Sequence, residues 1–456
     1  MKLRIACLAV LSLFTMAAQA QNGNWKNLFN GKDLSGWKAI AGKATFEVKD
    51  GVIEGTAVHG TGNTFLVSEE MYTDFILEVD LKINHISSNS GIMARGQFDP
   101  AARNGEGLVF GYQIEADPTP RAWSGGVYDE ARRGWFYTLD LNPAAKSAFK
   151  MGEWNTYRIE ALGSTIRTFV NGQPIAYLVD DMTAKGFIAL QVHAIYGGQK
   201  SGTRIRWRNI RIKTENLQLS PLDDTPVVNL MKNNLSEQEK AQGFELLFDG
   251  TSLSKWRGVY SEDAPNKRWS VQKGELQVDP SDGSETGNDI VTREKYAYFE
   301  LVFDFKLTPG ANSGVKYFVD ETYHSGGKSG IGLEFQILDD ERHPDAKMGV
   351  VGNRTLGSLY DLIPSVKVEK RFQKPIGEWN QGRILVLPDE TVQHWLNGHK
   401  VVEYTRGSPI YQALVARSKY KDFVGFGTAK EGHILLQDHG DAVAFRNVKV
   451  RRIKTN

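Results

Sequence analysis

The sequence predicts an all-β protein made of two tandem antiparallel domains, each a two-sheet β-sandwich or jelly roll. Three observations carry that expectation. One ordered set of short motifs occurs twice, apolar and polar residues alternate along the matched segments, and Asn-Gly pairs separate strand-like runs.

The duplication is visible by inspection. Leu28-Phe29-Asn30-Gly31 with Trp37 recurs at the same spacing as Leu247-Phe248-Asp249-Gly250 with Trp256. Residues 75–83 (FILEVDLKI) recur as 299–307 (FELVFDFKL), Asn89-Ser90-Gly91 as Asn312-Ser313-Gly314, and the GEWN of 152–155 as that of 377–380. Asn171-Gly172 recurs as Asn397-Gly398, Leu190-Gln191-Val192-His193 as Leu436-Gln437-Asp438-His439, and Arg208-Asn209-Ile210 as Arg446-Asn447-Val448. The period is domain-sized, so each copy is a domain and not a solenoid unit.

Within each copy the pattern is that of strands. Phe75, Leu77, Val79, Leu81 and Ile83 share one face of a period-2 element, and Glu78, Asp80 and Lys82 the other. Phe299, Leu301, Phe303, Phe305 and Leu307 repeat this against Glu300, Asp304 and Lys306. The Asn-Gly pairs read as hairpin turns, because both residues tolerate positive φ. The domains are expected over 21–214 and 244–456. The linker, 215–243, opens with Pro221 and Pro226 and closes with Ser236-Glu237-Gln238-Glu239, the capping box of a short helix.

The first twenty residues read as a cleavable export signal. Lys2 and Arg4 precede an apolar run from Ile5 to Met16, and Ala18-Gln19-Ala20 supplies the small-residue cleavage site. A periplasmic protein is expected. The sole cysteine, Cys7, lies in that segment, so neither a disulfide framework nor a zinc–thiolate site is available. No later stretch has membrane-spanning length. With 55 Lys+Arg against 54 Asp+Glu and no long basic stripe, nucleic acid is not an expected partner. Aromatic residues make up 11% of the chain; most serve the cores, but such faces also stack on sugars.

Polar residues interrupt the strand pattern at matching places. The Asn-Ser-Gly turns lead to Arg95 in the first copy and to Lys316 and Tyr317 in the second; the plain alternative is a self-capping turn. Gln113 and Glu115 share one strand face, as do Glu334 and Gln336, which suggests a polar groove; the alternative is a solvent-facing outer strand. Matching glutamine to glutamine sets Glu334 against Gly111 and Glu115 against Leu338. His193 and His439 end equivalent strands, where a hydrogen-bonded surface histidine is the ordinary reading. Asp339, Asp340, His343 and Asp345 lie close enough to suggest a divalent ion, though their spacing matches no strong metal motif. The first copy instead interleaves Arg121, Arg132 and Arg133 with Trp123, Tyr128 and Trp135, a composition suited to gripping hydroxyls or carboxylates, or to stacked surface pairs. Neither copy has two glutamates four apart on the central strand, so direct displacement by paired carboxylates is disfavoured.

With these motifs assembled, the second copy resembles the 3-keto-disaccharide hydrolase family, whose fold is a concanavalin A-like jelly roll. The resemblance rests on LFDG…W at 247–256, NSG at 312–314, EFQILDDERHPDAK at 334–347, GSLYD at 357–361, GEWN at 377–380, LNG at 396–398, LQDHG at 436–440 and FRNVKV at 445–450. The first copy is similar to another branch through NSGIMAR at 89–95, GYQIEADPTPRAWSGGVYDEARRGW at 111–135, GEWN and VNG, but it lacks the HPDA segment and inserts 194–203 after His193.

The resemblance implies cleavage of glycosides already oxidised at C3. The ketone acidifies the C2 proton, a protein base removes it, and the enediolate expels the C1 substituent; rehydration of the enone makes the net reaction a hydrolysis, and without it the step is a lyase reaction. Glu334 or His439 is then the candidate base. Lys316, or an ion near Asp339 and His343, is the candidate oxyanion partner. Tyr360, Gln336 and Asn312 are candidate hydroxyl contacts, and Asn89, Arg95, Gln113, Glu115, Trp123, Tyr128, Arg132 and His193 form the corresponding set in the first copy. No organic cofactor is expected. A non-catalytic carbohydrate-binding protein and a conventional glycoside hydrolase are the rival classes.

Overall fold

In the computed structural model the alternating segments are central strands, and their apolar faces build the cores. The described residues are 25–197, 201–265, 268–281, 288–322, 329–366, 373–423 and 425–455; the predicted export signal lies outside them. The chain divides into two compact units, Met1–Val228 and Asn229–Asn456.

In the first unit one sheet runs in the order Gln173–Val179, Thr165–Val170, Asn155–Leu162, Phe75–Ile83, Arg204–Lys213, Val52–Thr56, Thr45–Lys49. The facing sheet runs Gly134–Tyr137, Val127–Glu130, Leu108–Ala116, Ser90–Asp99, Gly186–Val192, Thr64–Tyr72, Trp37–Ile40. In the second unit the sheets run Trp269–Gln272, Glu275–Val278, Val443–Arg452, Phe299–Leu307, Asn380–Val386, Thr391–Leu396, His399–Thr405, and Trp256–Gly258, Ile290–Thr292, His433–Leu436, Asn312–Val319, Leu333–Leu338. The paired strands are antiparallel, so each unit is the all-β sandwich expected. Phe303 of one sheet meets Phe335 of the other edge-on at 5.4 Å, inside a continuous core.

Several repeated motifs prove to be scaffold. Trp37 and Trp256 each donate an indole N–H to the carbonyl of the Leu nine residues earlier, at 2.7 Å, which closes the LF(N/D)G loop. Asn171 and Asn397 have φ of 51° and 48° ahead of glycines at 79° and 80°, the geometry of a tight hairpin. Their side chains donate to Asn155 and Asn380, the asparagines of the two GEWN motifs. The polar face of the central strand is covered by ion pairs. Glu78 pairs with Arg158 and Arg211, and its counterpart Glu300 with Arg383 and Arg451.

The segment between the repeats is fastened at both ends. Arg167 of the first unit binds the carbonyls of Ser220 and Pro221 and the carboxylate of Asp223. Helix Glu237–Ala241 of the second unit carries the full capping box: Glu239 N donates to Ser236 Oγ at 3.2 Å, and Ser236 N to Glu239 Oε2 at 2.7 Å. Among the described residues no helix is long and apolar enough to cross a membrane.

Candidate active site

In the second unit, strands Asn312–Val319 and Leu333–Leu338 pair with Gly314 opposite Gln336 and Lys316 opposite Glu334. Alternation sends Val315, Tyr317, Phe335 and Ile337 into the core. It leaves Asn312, Lys316, Glu334 and Gln336 on the other face, where they line a cavity of about 270 Å³. The strand ending at Leu436 continues into Gln437, whose N–H donates to Gly314 O, and brings His439 to the rim. Tyr360 enters from the loop beside Leu333–Leu338, its N–H donating to Glu334 O at 3.0 Å. The six residues expected in the second copy to act on substrate therefore face one space.

Burial raises the pKa of the Glu334 carboxyl above the ordinary value, although Lys316 and Lys419 pull it back. The Gln336 amide, oriented with its nitrogen toward Glu334 Oε1 at 3.0 Å and Ser313 O at 3.1 Å, braces that carboxyl. Gly314 makes room for it: a Cβ there would lie 2.4 Å from Glu334 Oε1. Lys316 donates to Ser329 Oγ (3.2 Å) and Gly330 O (3.0 Å) and stands 3.8 Å from the buried carboxylate of Asp289. Tyr360 OH donates a hydrogen bond to Asp345 Oδ2 at 2.7 Å, and Arg354 bridges Asp345 and Asp361. Burial and then Asp345 raise the phenol's pKa, so Tyr360 stays protonated and offers its oxygen as an acceptor.

A second cluster abuts this cavity. His343, His439 and Asp441 present ligand atoms that all lie within 4.8 Å of one another. His343 accepts from Asp345 N through Nδ1 at 3.2 Å, leaving Nε2 for another partner. Burial, then His439, lowers its pKa and favours the neutral imidazole that a metal needs. Asp339 does not join them. It is buried and caps a turn, accepting from Gly310 N, Glu341 N, Arg342 N and the Arg342 guanidinium. The carboxylate that converges on the histidines is Asp441.

The first unit differs at nearly every one of these positions. Gly91 faces Glu115 and Met93 faces Gln113, so Gln113 stands where Glu334 does and Glu115 where Gln336 does. This corrects the glutamine-to-glutamine alignment by two residues. The counterpart of Lys316 is Met93, buried in an apolar cluster. Glu115 accepts from Asn89 (2.6 Å), Gln113 (3.1 Å) and Arg121 (3.3 Å), and Gln113 in turn accepts from Gln191 (2.7 Å). Arg121 lies over the rings of Trp123 and Trp135, against which Tyr128 packs. His193 bonds the carbonyl of Ala194 through Nδ1.

Two expected contacts of the first copy are scaffold instead. Arg95 is only 1% exposed and ties together Thr73 O, Gly163 O and Asp74. Arg132 is committed to Asp129 and Thr183.

Residues 24–213 and 243–451 both match the model of the 3-keto-alpha-glucoside-1,2-lyase-like domain. The chain belongs to this family. It holds two tandem copies of the lyase-like domain, one in each structural unit. A curated relative from Bacteroides thetaiotaomicron, a 3-keto-disaccharide hydrolase, is 36% identical over 234 residues, covering 46% of this chain and 79% of its own. A solved glycosyl hydrolase candidate from Parabacteroides distasonis is 30% identical, covering 49% of this chain and all of its own, with a TM-score of 0.43. The carbohydrate binding module CBM66 from Bacillus subtilis is 13% identical over 41% of this chain and 99% of its own, with a TM-score of 0.28.

Sequence reasoning missed Lys419, Tyr420 and Phe423, which wall the cavity, and the Asp345–Arg354–Asp361 brace behind Tyr360. Asp345 was noted only as a possible ligand. The three wall residues sit in a segment without strand or helix periodicity, and nothing in the first copy aligns with it.

Proposed function

We propose that the second unit cleaves 3-keto-glycosides, with Glu334 as the base that removes the C2 proton. Family membership and the curated relative support glycoside cleavage as the reaction class. The observation that carries the finer reading is the buried Glu334 carboxyl, raised in pKa, in a polar cavity with two ammonium groups; the other carboxylate lining that cavity, Asp345, is held by Tyr360 and Arg354, and none lies four residues along the strand of Glu334. That arrangement suits proton abstraction beside a carbonyl better than displacement by a carboxylate pair.

In the proposed course, Glu334 takes the proton as the C2–H bond breaks. The electron pair enters C2–C3, and the C3 carbonyl becomes an oxyanion. The C3 carbonyl re-forms, the C2–C3 pair shifts to make a C1–C2 double bond, and the C1–O bond breaks; the departing oxygen takes the proton back from Glu334, leaving an enone. Addition of water, hydroxide to C1 and a proton to C2, yields the 3-keto sugar. Asn312, Gln336, Gln437 and the Tyr360 oxygen supply hydroxyl contacts. His343, His439 and Asp441 would hold a divalent ion, a donor set that suits a three-ligand site, and such an ion would add positive charge beside the cavity.

The first unit, by this reading, binds carbohydrate without the chemistry, since Gln113 and Met93 stand where Glu334 and Lys316 do and the HPDA segment that carries His343 is absent there. The basic and apolar leader supports export to the periplasm. Turnover of a 3-keto-glucoside in deuterium oxide tests the mechanism: the 3-keto sugar is expected to carry deuterium at C2. A product that keeps its original C2 hydrogen, or equal turnover of the ordinary glucoside, would falsify it.

A further inference from the structure

Residues 406–432 separate strands His399–Thr405 and His433–Leu436 in the second unit. The equivalent strands of the first unit, Gln173–Val179 and Gly186–Val192, are joined by residues 180–185 alone. The extra segment contains helix Pro409–Val415, started by Ser408, whose hydroxyl accepts from Tyr411 N. It is anchored on several sides. Tyr420 stacks on Phe426 at 4.0 Å, Tyr411 OH donates to Phe426 O at 2.8 Å, and Arg406 donates to Gly427 O at 3.0 Å. Lys419 N donates to Asp361 Oδ2 at 2.8 Å, so its backbone is fixed to the carboxylate that also holds Arg354.

The Lys419 side chain is placed differently from that of Lys316. Its ammonium lies 4.1 Å from the Tyr360 ring centroid and 5.1 Å from that of Tyr420. It makes no hydrogen bond or ion pair among the described residues. A cation held over ring faces keeps its N–H donors free. Lys316, by contrast, spends donors on Ser329 and Gly330 and faces Asp289. Both line the cavity that contains Glu334.

We propose that Lys419 is a catalytic residue of the second unit, its ammonium donating to the C3 oxygen of the substrate as negative charge develops there, and that segment 406–432 serves to deliver it. The proposal rests on the 3-keto-glycoside reading. The lysine begins and ends each turnover as an ammonium: Glu334 receives the C2 proton, Lys419 bonds the oxyanion, and the bond relaxes when the C1 substituent leaves with the charge. Donors aimed at developing charge in a partly dry site act on the transition state more than on the bound substrate. The charged and titratable groups facing Lys419 are Glu334, Lys316, Asp345, Arg354 and Asp361, with Tyr360 and Tyr420. Lys419 is exposed as a residue, but the groups packed around its ammonium remove part of its solvent, and this desolvation is the largest influence lowering its pKa.

The experiment compares the full-length protein with Lys419→Met and Lys419→Arg on a 3-keto-glucoside, after matching their thermal midpoints. Lys419→Met is expected to lower kcat by about 10²–10³-fold with a much smaller change in KM. Lys419→Arg is expected to keep more of the turnover and to move the alkaline fall in activity to higher pH, because guanidinium holds its proton. Unchanged kcat in Lys419→Met, or a loss confined to KM, overturns the catalytic assignment while leaving the 3-keto reading standing. A wild-type protein that ignores the 3-keto-glucoside overturns both, and that is read before any variant is made.

Discussion

Glu334 and Gly314 are diagonal neighbours on two paired strands, and the glycine leaves the carboxyl its room. Replacing the carboxyl by an amide in Glu334→Gln keeps its size and removes the base, so turnover is expected to drop by roughly 10²–10⁴-fold while sugar binding, followed by calorimetry, persists. Gly314→Ala is subtler. The added Cβ would meet the end of a flexible side chain and not backbone, so folding should tolerate it, but the carboxyl must move. A displacement of about 1 Å at a reacting group can cost on the order of 10²-fold. A folded Gly314→Ala protein of wild-type activity would show that the carboxyl position is unimportant. The acid side of the pH profile follows from the same residue. Glu334 works deprotonated, and burial raises its pKa, so kcat should climb with pH through a midpoint above that of an ordinary carboxylate. That limb should vanish from the residual rate of Glu334→Gln.

The same strand shows what alternation conceals. A slip of two residues leaves every side chain on its own face, so matching Gln113 to Gln336 violated no hydrophobic pattern. Only the register against residues 89–91 and 312–314 shows that Gln113 replaces Glu334.

At the scale of elements, strands and turns were legible because their reasons are local. Period-2 burial marks Phe75–Ile83 and Phe299–Leu307, and Asn-Gly marks the hairpins. The Arg-Asn repeats near each end are β-bulges: Asn209 and Asn447 take φ of 50° and 53° and donate to Asp80 and Asp304 at 2.7 Å. Beyond its short helix Pro409–Val415, segment 406–432 is opaque because its order comes from aromatic stacking and long-range hydrogen bonds, which leave no period. Asp339 misled for a related reason: a turn cap and a metal ligand use the same residue type, and only its backbone partners separate them. The short helix Glu237–Ala241 offers a stability test. Glu239 closes its capping box and also pairs with Lys449 on the strand Val443–Arg452, both side chains being almost fully buried. Lys449→Met would remove the counter-charge and the partner of Oε1 while Ser236 N and Asn229 keep Oε2, and removing one partner of a buried pair costs up to about 3–5 kcal/mol. The denaturation midpoint of the second unit should fall accordingly, while an unmoved midpoint would mean that water already solvates the pair.

At the scale of the molecule, the two copies share a scaffold and have separated in chemistry. The GEWN asparagines, the LF(N/D)G loops and the ion pairs over the central strand recur. Lys316, Glu334 and segment 406–432 do not. In the first unit the surviving carboxyl, Glu115, is raised to about 7, chiefly by burial, and its oxygens are taken by Asn89, Gln113 and Arg121. Such a group is partly neutral and partly charged near neutral pH; Glu115→Gln removes the charged form and leaves the second unit untouched. Full-length Glu115→Gln should therefore turn over a 3-keto-glucoside within about threefold of wild type, while Glu334→Gln is nearly inactive. Weakened retention on an immobilised carbohydrate in Glu115→Gln, with kcat intact, is the outcome expected of a first unit that grips sugar. If Glu115→Gln alone abolishes turnover, the catalytic unit is the first one, and the closed network around Glu115 must open to admit substrate.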